Sequence, residues 1–168
     1  LEKYFSKVSI ITQNVDNLHI LAGSRNVIEL HGNIMRNKCS ACAKPYLGEF
    51  DSMLSIPHCS DCGALIRPDV VWFGEMLPGN AIEAAQKILL SCEILFVVGT
   101  SSVVEPAASL PFLAKSAKVY IIEVNPENTP LSDHADECIR MPSAQYFPRL
   151  IESISRNMGK NTENHFFS

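Results

Sequence analysis

Charge of either sign is scarce in this chain. Only 19% of its 168 residues are Asp, Glu, Lys or Arg, and the formal net charge is −4. Such a surface has no electrostatic pull on nucleic acid or on an anionic membrane. Long apolar runs are lacking too. None reaches the roughly 18 residues of a membrane-spanning helix, and "EILFVVG" is far too short. The opening "LEKYFSKVSIITQ" has no secretion-signal layout. No repeat and no low-complexity stretch is visible. The expectation is an intracellular protein in a reducing compartment, cytoplasm foremost, with no direct nucleic-acid or membrane partner. What the chain does have is 46% apolar residues, enough for one domain with a core and a small insertion.

Cysteines stand out. Four of the six fall in "RNKCSACAKPYLGEFDSMLSIPHCSDCGALIRP", as the pairs Cys39/Cys42 and Cys59/Cys62 with 16 residues between them. Two Cys-x-x-Cys turns at this spacing point four sulfurs at one centre, the pattern of a structural zinc site. A redox pair or disulfides are the alternatives. Four thiolates close the coordination sphere, so the metal is predicted to hold structure and not to catalyse. Gly63 suits a tight knuckle turn. His58, beside Cys59, is a competing nitrogen, but the four sulfurs suffice. The stretch between the pairs is too short and irregular for a core of its own, so metal binding should supply much of its stability.

Around this module strands and helices alternate. "KVSIIT" (Lys7–Thr12) and "NVIEL" (Asn26–Leu30) are predicted strands, separated by a short helix from Asp16 that closes at Gly23. A helix over "NAIEAAQKILLSC" is predicted with Asn80 as its N-cap and Glu83 three residues on. Strands "EILFVVG" (Glu93–Gly99) and "KVYIIEV" (Lys118–Val124) flank a helix near Pro106–Ala117. A last helix is predicted near Ser143–Arg156, then a frayed tail. The pattern predicts an α/β fold: a Rossmann-like, doubly wound parallel sheet with an inserted zinc-ribbon module. The expected division is 1–33 with 69–156 for the sheet, 34–68 for the metal module and 157–168 for the tail.

Ligands of such sheets bind beyond the carboxyl ends of the strands. Gln13, Asn14, Val15 and Asp16 follow the first strand; Gly99, Thr100, Ser101 and Ser102 follow "EILFVV"; Asn125 follows "YIIEV". "GTSS" is neither a GxGxxG nor a P-loop, and each loop alone is ordinary. Three at one sheet edge favour a nucleotide-like ligand.

"TQNVDNLHILAGSRNVIELHGNI", the paired Cys-x-x-Cys, "RPDVVWFGE", "VVGTSSVVEPAA" and "IIEVN", in this order, resemble the sirtuin family of NAD-dependent protein-lysine deacylases, from about Ile11 to Leu150. The resemblance implies NAD and zinc as cofactors and an acyl-lysine protein or peptide as substrate. It makes His31 the catalytic histidine. It gives Gln13, Asn14 and Asp16, with Val15 between them, to the nicotinamide ribose and pocket. Gly99, Thr100 and Ser101 fall to the phosphate and adenosine ribose, Asn125 and Glu127 to the adenine-side ribose, and Ser143 to the adenine. Val71, Trp72 and Phe73 become the edge that pairs with the peptide as an added strand. The implied products are nicotinamide, free lysine and O-acyl-ADP-ribose. A histidine, neutral near its ordinary pKa of about 6.5, suits the deprotonation of a ribose hydroxyl. Without the resemblance, His31 reads as a histidine satisfied at a strand end, and Trp72 as a core residue.

"VVWFGE" and "GTSSVVEPAA" lean toward the branch that removes acidic acyl groups such as succinyl and malonyl, and Glu105 adds no support to that lean. The family's opening strand and glycine-rich pyrophosphate loop have no counterpart before "TQNVD". The expectation is therefore a fragment that binds NAD weakly and turns over little. Alternative readings are a non-catalytic zinc-containing scaffold and a NAD-dependent ADP-ribosyltransferase. A nucleic-acid-binding ribbon is disfavoured because Glu49, Asp51 and Asp61 interrupt the basic residues near the knuckles.

Overall fold

The computed structural model describes residues 1–48 and 56–163, with side chains of the last helix described through residue 157. The chain divides into two compact units, Ser9–Glu83 and Leu1–Val8 with Ala84–Ser168.

In the first unit, strands β1 (Ile10–Thr12) and β2 (Val27–Glu29) pair in parallel, Ile10 opposite Val27 and Thr12 opposite Glu29. Branched side chains at Ile10, Ile11, Val27 and Ile28 suit the pleat. Both strands are shorter than their predicted runs because the ladder ends where polar loops take over. Helix α1 (Leu18–Leu21) starts two residues after Asp16. Asp16 is an acceptor before the helix rather than part of it: its Oδ1 takes the Leu18 N–H at 3.0 Å. The Gly23 N–H closes the helix on the Ile20 carbonyl at 2.9 Å, as predicted.

The insertion after β2 is an antiparallel sheet in the order β4-β3-β5, built from β3 (Gly32–Cys39), β4 (Pro45–Tyr46) and β5 (Ile66–Val70). Its register runs from Gly32 opposite Val70 to Cys39 opposite Ile66 and shifts between Asn33 and Asn37. That irregularity re-aims the strand as it leaves His31. A small buried cluster of Cys39, Cys59 and Ile66, with Tyr46 and Ala64 against it, is the core here.

The second unit is a parallel sheet of β6 (Ile94–Val98), β7 (Tyr120–Val124) and β8 (Glu137–Ile139), with β7 central. A 3₁₀ turn (Ala107–Ser109) leads into helix α3 (Leu110–Ser116) between β6 and β7. Leu89, Val97, Ala114, Ile121, Val124 and Leu131 are buried. Phe147 meets Phe96 edge-on with ring centroids 5.6 Å apart, tying helix α4 (Ser143–Glu163) to β6.

Two boundary expectations need correction. Helix α2 (Gly79–Leu89) begins before Asn80, which therefore is not its N-cap. The Pro78 carbonyl accepts the Ala81 and Ile82 N–H groups at 3.0 and 3.1 Å, so the first turn closes one residue earlier. Helix α4 runs on to Glu163, so the first part of the expected frayed tail is helical. Once nucleated, a helix propagates through a residue such as Gly159 at a cost of only about 1 kcal/mol. The remainder of that tail lies outside the described residues, as do Glu49 and Asp51. Among the described residues, no helix is long and apolar enough to cross a membrane. The α/β architecture with an inserted metal-binding module is the one the sequence predicts.

Candidate functional site

His31 stands immediately beyond β2, and the loop Gln13–Asp16 immediately beyond β1, so both occupy carboxyl ends of parallel strands. The backbone fixes them together. The Leu30 N–H donates to the Thr12 carbonyl at 2.9 Å, and the Ile34 N–H to the Val15 carbonyl at 2.8 Å. Asn14 is turned by its own N–H, which reaches Thr12 Oγ1 at 3.1 Å. Gly32 next to His31 has φ +78°, and a Cβ there would lie 2.0 Å from the Asp69 carbonyl oxygen. Only glycine fits that close approach. The imidazole is half-buried, and its Nδ1 is enclosed with no hydrogen-bond partner among the described residues.

A buried amide braces this loop pair. Asn33, 2% exposed, donates from Nδ2 to Asn17 Oδ1 at 2.8 Å and to Glu29 Oε1 at 2.5 Å. Its Oδ1 accepts the Met35 N–H at 2.9 Å. Glu29 Oε2 in turn holds Arg36 Nη1 at 2.7 Å. Asn17 is in the left-handed region at φ 66°, which Asn tolerates better than most residues. Sequence reading missed Asn17, Asn33 and Glu29. Polar residues beside "IEL" and "HG" gave no sign that they pair with one another.

The four cysteines converge. Their Sγ atoms all lie within 4.8 Å of one another; Cys39–Cys62 is 3.4 Å and Cys42–Cys59 is 3.7 Å. A tetrahedral ion with Zn–S bonds of about 2.3 Å needs sulfurs about 3.8 Å apart, so the four thiols fit a tetrathiolate zinc site. The two knuckles share one backbone plan. Ala43 at φ 58° and Gly63 at φ 74° donate their N–H groups to the carbonyls of Cys39 and Cys59. The Cys39 and Cys59 N–H groups donate to Lys44 and Ala64 in the same way, at 2.9 and 2.7 Å. Gly63 is thus used as predicted, while Ala43 takes the same left-handed turn at a cost of roughly 1–2 kcal/mol. The Cys42 N–H, followed by that of Ala41, pulls the Cys39 thiol down to about 6 against the effect of burial. Against the pull of the Lys44 N–H, pairing with Cys39 pushes the Cys42 thiol up to about 12, so the cluster favours its negative charge at Cys39. Among the described residues every site feature here is sulfur, and His58 lies outside the cluster of potential ligands.

Beyond β5 the chain turns sharply. The Val71 N–H donates to the His31 carbonyl at 2.9 Å, so Val71 is bonded to the candidate base residue itself. Trp72 to Glu75 then form a turn closed by the Glu75 N–H on the Trp72 carbonyl at 3.0 Å. Gly74 at φ +87° supplies the positive φ this turn requires. Phe73 is fully exposed.

In the second unit the loops after β6 and β7 meet. Asn125 Nδ2 donates to the Thr100 carbonyl at 3.0 Å, and Asn125 Oδ1 accepts the Glu127 N–H at 3.1 Å. Gly99 has φ +59°, with open space where a side chain would stand. Ser101 is exposed, and Ser102, at φ 55°, is buried with its Oγ unpartnered among the described residues. Ser143 begins α4 just after β8. Gly99–Ser101, Asn125, Glu127 and Ser143 therefore belong to one unit, and Gln13–Asp16, His31 and Val71–Phe73 to the other.

A second missed feature supports the Asn125 loop. Glu123, 1% exposed in the central strand, accepts from Ser132 Oγ and Arg140 Nη1, each at 2.7 Å, and from Thr129 Oγ1. Arg140 Nη1 also reaches the Asn125 carbonyl at 3.4 Å. Burial alone would push the Glu123 carboxyl up, but these donors outweigh it and hold it below its ordinary value. The charged residue inside "YIIEV" was the signal available in the sequence.

Comparison with known proteins bears on family and fold. The Sir2 family profile matches residues 1–106. The NAD-dependent protein deacylase of Pyrococcus furiosus is 45% identical over 162 residues, covering 93% of this chain and 65% of that protein. A crystal structure of a Sir2 homolog–NAD complex superposes with a TM-score of 0.85 at 41% identity, covering 93% of this chain and 61% of the other. A Sir2 protein bound to a propionylated peptide gives 0.77 at 38% identity, covering 86% and 63%. The chain thus spans somewhat less than two thirds of the length of these relatives.

Proposed function

The chain belongs to the Sir2 family, and on that premise we propose that it carries the catalytic base, NAD contacts and peptide-docking edge of an NAD-dependent protein-lysine deacylase. The observation that carries the reading is the hydrogen bond from Val71 to the His31 carbonyl, which ties the proposed base to the proposed docking edge. NAD, when bound, supplies the ADP-ribosyl group that receives the acyl group as nicotinamide leaves. His31 is the residue that takes the proton from a ribose hydroxyl. With Nδ1 enclosed, Nε2 is the nitrogen left for that exchange. Gln13, Asn14, Val15 and Asp16 line the nicotinamide end in this reading.

Gly99, Thr100, Ser101, Asn125, Glu127 and Ser143 take the adenosine end. The open space at Gly99 and the unpartnered Ser102 Oγ fit the close approach of a polar, ribose-like group. Val71, Trp72 and Phe73 receive the acyl-lysine peptide in this reading; that a relative binds a propionylated peptide supports the substrate class. The cysteines Cys39, Cys42, Cys59 and Cys62 hold zinc as a structural ion with no open coordination position. We assign 1–33 with 69–156 to the NAD lobe and 34–68 to the metal module. Four thiols free of disulfides suit a reducing, cytoplasmic setting.

The test is nicotinamide release from NAD with an acetyl- or succinyl-lysine peptide. Release should depend on the peptide and fall by about 10²–10⁴-fold in His31→Ala. Release that ignores His31 would overturn the assignment.

A further inference from the structure

The turn after β5 is held by Arg67, Trp72 and Glu75, and the proposed reaction gives no role to Arg67 or Glu75. The Arg67 guanidinium lies over the Trp72 ring, its central carbon 4.2 Å from the ring centroid. Arg67 Nη2 is 2.9 Å from both carboxylate oxygens of Glu75. Glu75 Oε2 also accepts the Trp72 N–H at 3.1 Å. One carboxylate therefore fixes the indole's backbone and the cation stacked on its ring. Arg67 is well buried, its side chain 14% exposed, although Trp72 as a whole is 55% exposed. The pairing with Arg67, and then the Trp72 N–H, keeps the Glu75 carboxyl below its ordinary value.

We propose that Arg67 and Glu75 form a latch on Trp72 that sets the Trp72–Glu75 turn and so presents Phe73 to an acyl-lysine peptide. Arg67 and Glu75 are positioning residues. The proposal rests on the reading that residues 71–73 dock the peptide. A planar guanidinium suits the task because it stacks on the indole and chelates a carboxylate at once; an ammonium does one or the other.

Trp72 is the chain's single tryptophan, so its fluorescence reports the latch without any turnover. The experiment measures acrylamide quenching of the 168-residue chain and of Arg67→Met, Arg67→Lys and Glu75→Gln, with zinc content as the folding control. Loss of the stack should raise the quenching constant in Arg67→Met and Glu75→Gln, by at most about twofold because Trp72 is already 55% exposed, with Arg67→Lys between these and the parent. In turnover assays the same variants should raise KM for the peptide and leave KM for NAD unchanged. Parent-like quenching in both Arg67→Met and Glu75→Gln, with zinc retained, overturns the latch. Should Arg67→Met lose zinc because Arg67 lies in β5, Glu75→Gln, outside that sheet, decides alone. Adding an acyl-lysine peptide to the parent chain should change Trp72 emission. No change, alongside raised quenching in the variants, would leave the latch standing and sink the docking assignment.

Discussion

The metal knuckles and the β6–β7–β8 sheet solve the same problem by opposite means. Among the described residues the knuckles have a buried cluster of Cys39, Cys59 and Ile66, with Tyr46 and Ala64 against it, and two of its members are proposed metal ligands. The sheet buries Leu89, Val97, Ile121, Ile122, Val124 and Leu131, and none of these is a metal-ligating residue type. At about 25 cal/mol per Å² of apolar surface, a described cluster this small offsets little of the entropy of ordering two knuckle turns and strands β3–β5. The difference shows where cohesion comes from in each. On the proposed zinc reading, in the knuckles it is coordination, helped by a plan that repeats backbone bonds around each Cys-x-x-Cys. In the sheet it is packing around a central strand with both neighbours in place.

The largest expected effect separates the two. Stripping zinc with a strong chelator at neutral pH forfeits a binding free energy of about 10–16 kcal/mol, which in such modules is folding free energy. Amides of residues 39–46 and 59–66 should lose protection from hydrogen exchange, while those of 94–98 and 120–124 keep theirs. Cys39→Ser should act like the chelator. Exchange rates in both regions that do not respond would show that the knuckles hold without metal. The converse perturbation is Ile121→Ala. Ile121 is fully buried in the central strand. Truncation should cost about 2–5 kcal/mol in denaturant unfolding of the sheet and leave the zinc content unchanged. A cost below about 1 kcal/mol would mean that packing is not what holds this region.

The same contrast explains what the sequence made legible. Parallel strands β1, β2, β6 and β7 were readable because branched apolar runs end in polar loops, and the cysteine spacing was readable because metal geometry constrains it. Strand β8, only Glu137, Cys138 and Ile139, carries no apolar run and gains its place by pairing with β7. Strand β3, "GNIMRNKC", has no clean alternation, since its register shifts between Asn33 and Asn37 and both of its neighbours come from later in the chain. Gln13–Asp16, His31, Gly99–Ser101, Asn125 and Glu127 sit where strand-end logic puts them, after β1, β2, β6 and β7, while Val71–Phe73 follow the antiparallel β5 and Ser143 opens α4. Their supports were hidden. Asn33 finds Asn17 from 16 residues earlier, and Glu123 finds Arg140 from 17 residues later. Tertiary pairing of polar groups leaves no period in a sequence.

Glu123 gives the subtlest way to sharpen the comparison, because it is a polar element inside the packed region. Its carboxylate carries three donors in a site that excludes water, so the charged form is the stable one despite burial. A depressed folded-state pKa contributes stability that is complete above the ordinary Glu value of 4.5 and fades as pH falls below it. Glu123→Gln keeps the shape and one acceptor oxygen but gives up the charge that holds Arg140. The variant should be less stable by about 1–2 kcal/mol near pH 7. The gap to the parent should shrink steadily as pH drops through 4.5 and below. Asp136, also held low by Lys115 and then by the Ile121 N–H, is present in both chains and cancels from the difference. Unfolding curves for the pair at a series of pH values test this directly. A gap that stays constant into acid would mean that Glu123 stabilises the loop through shape and not through charge.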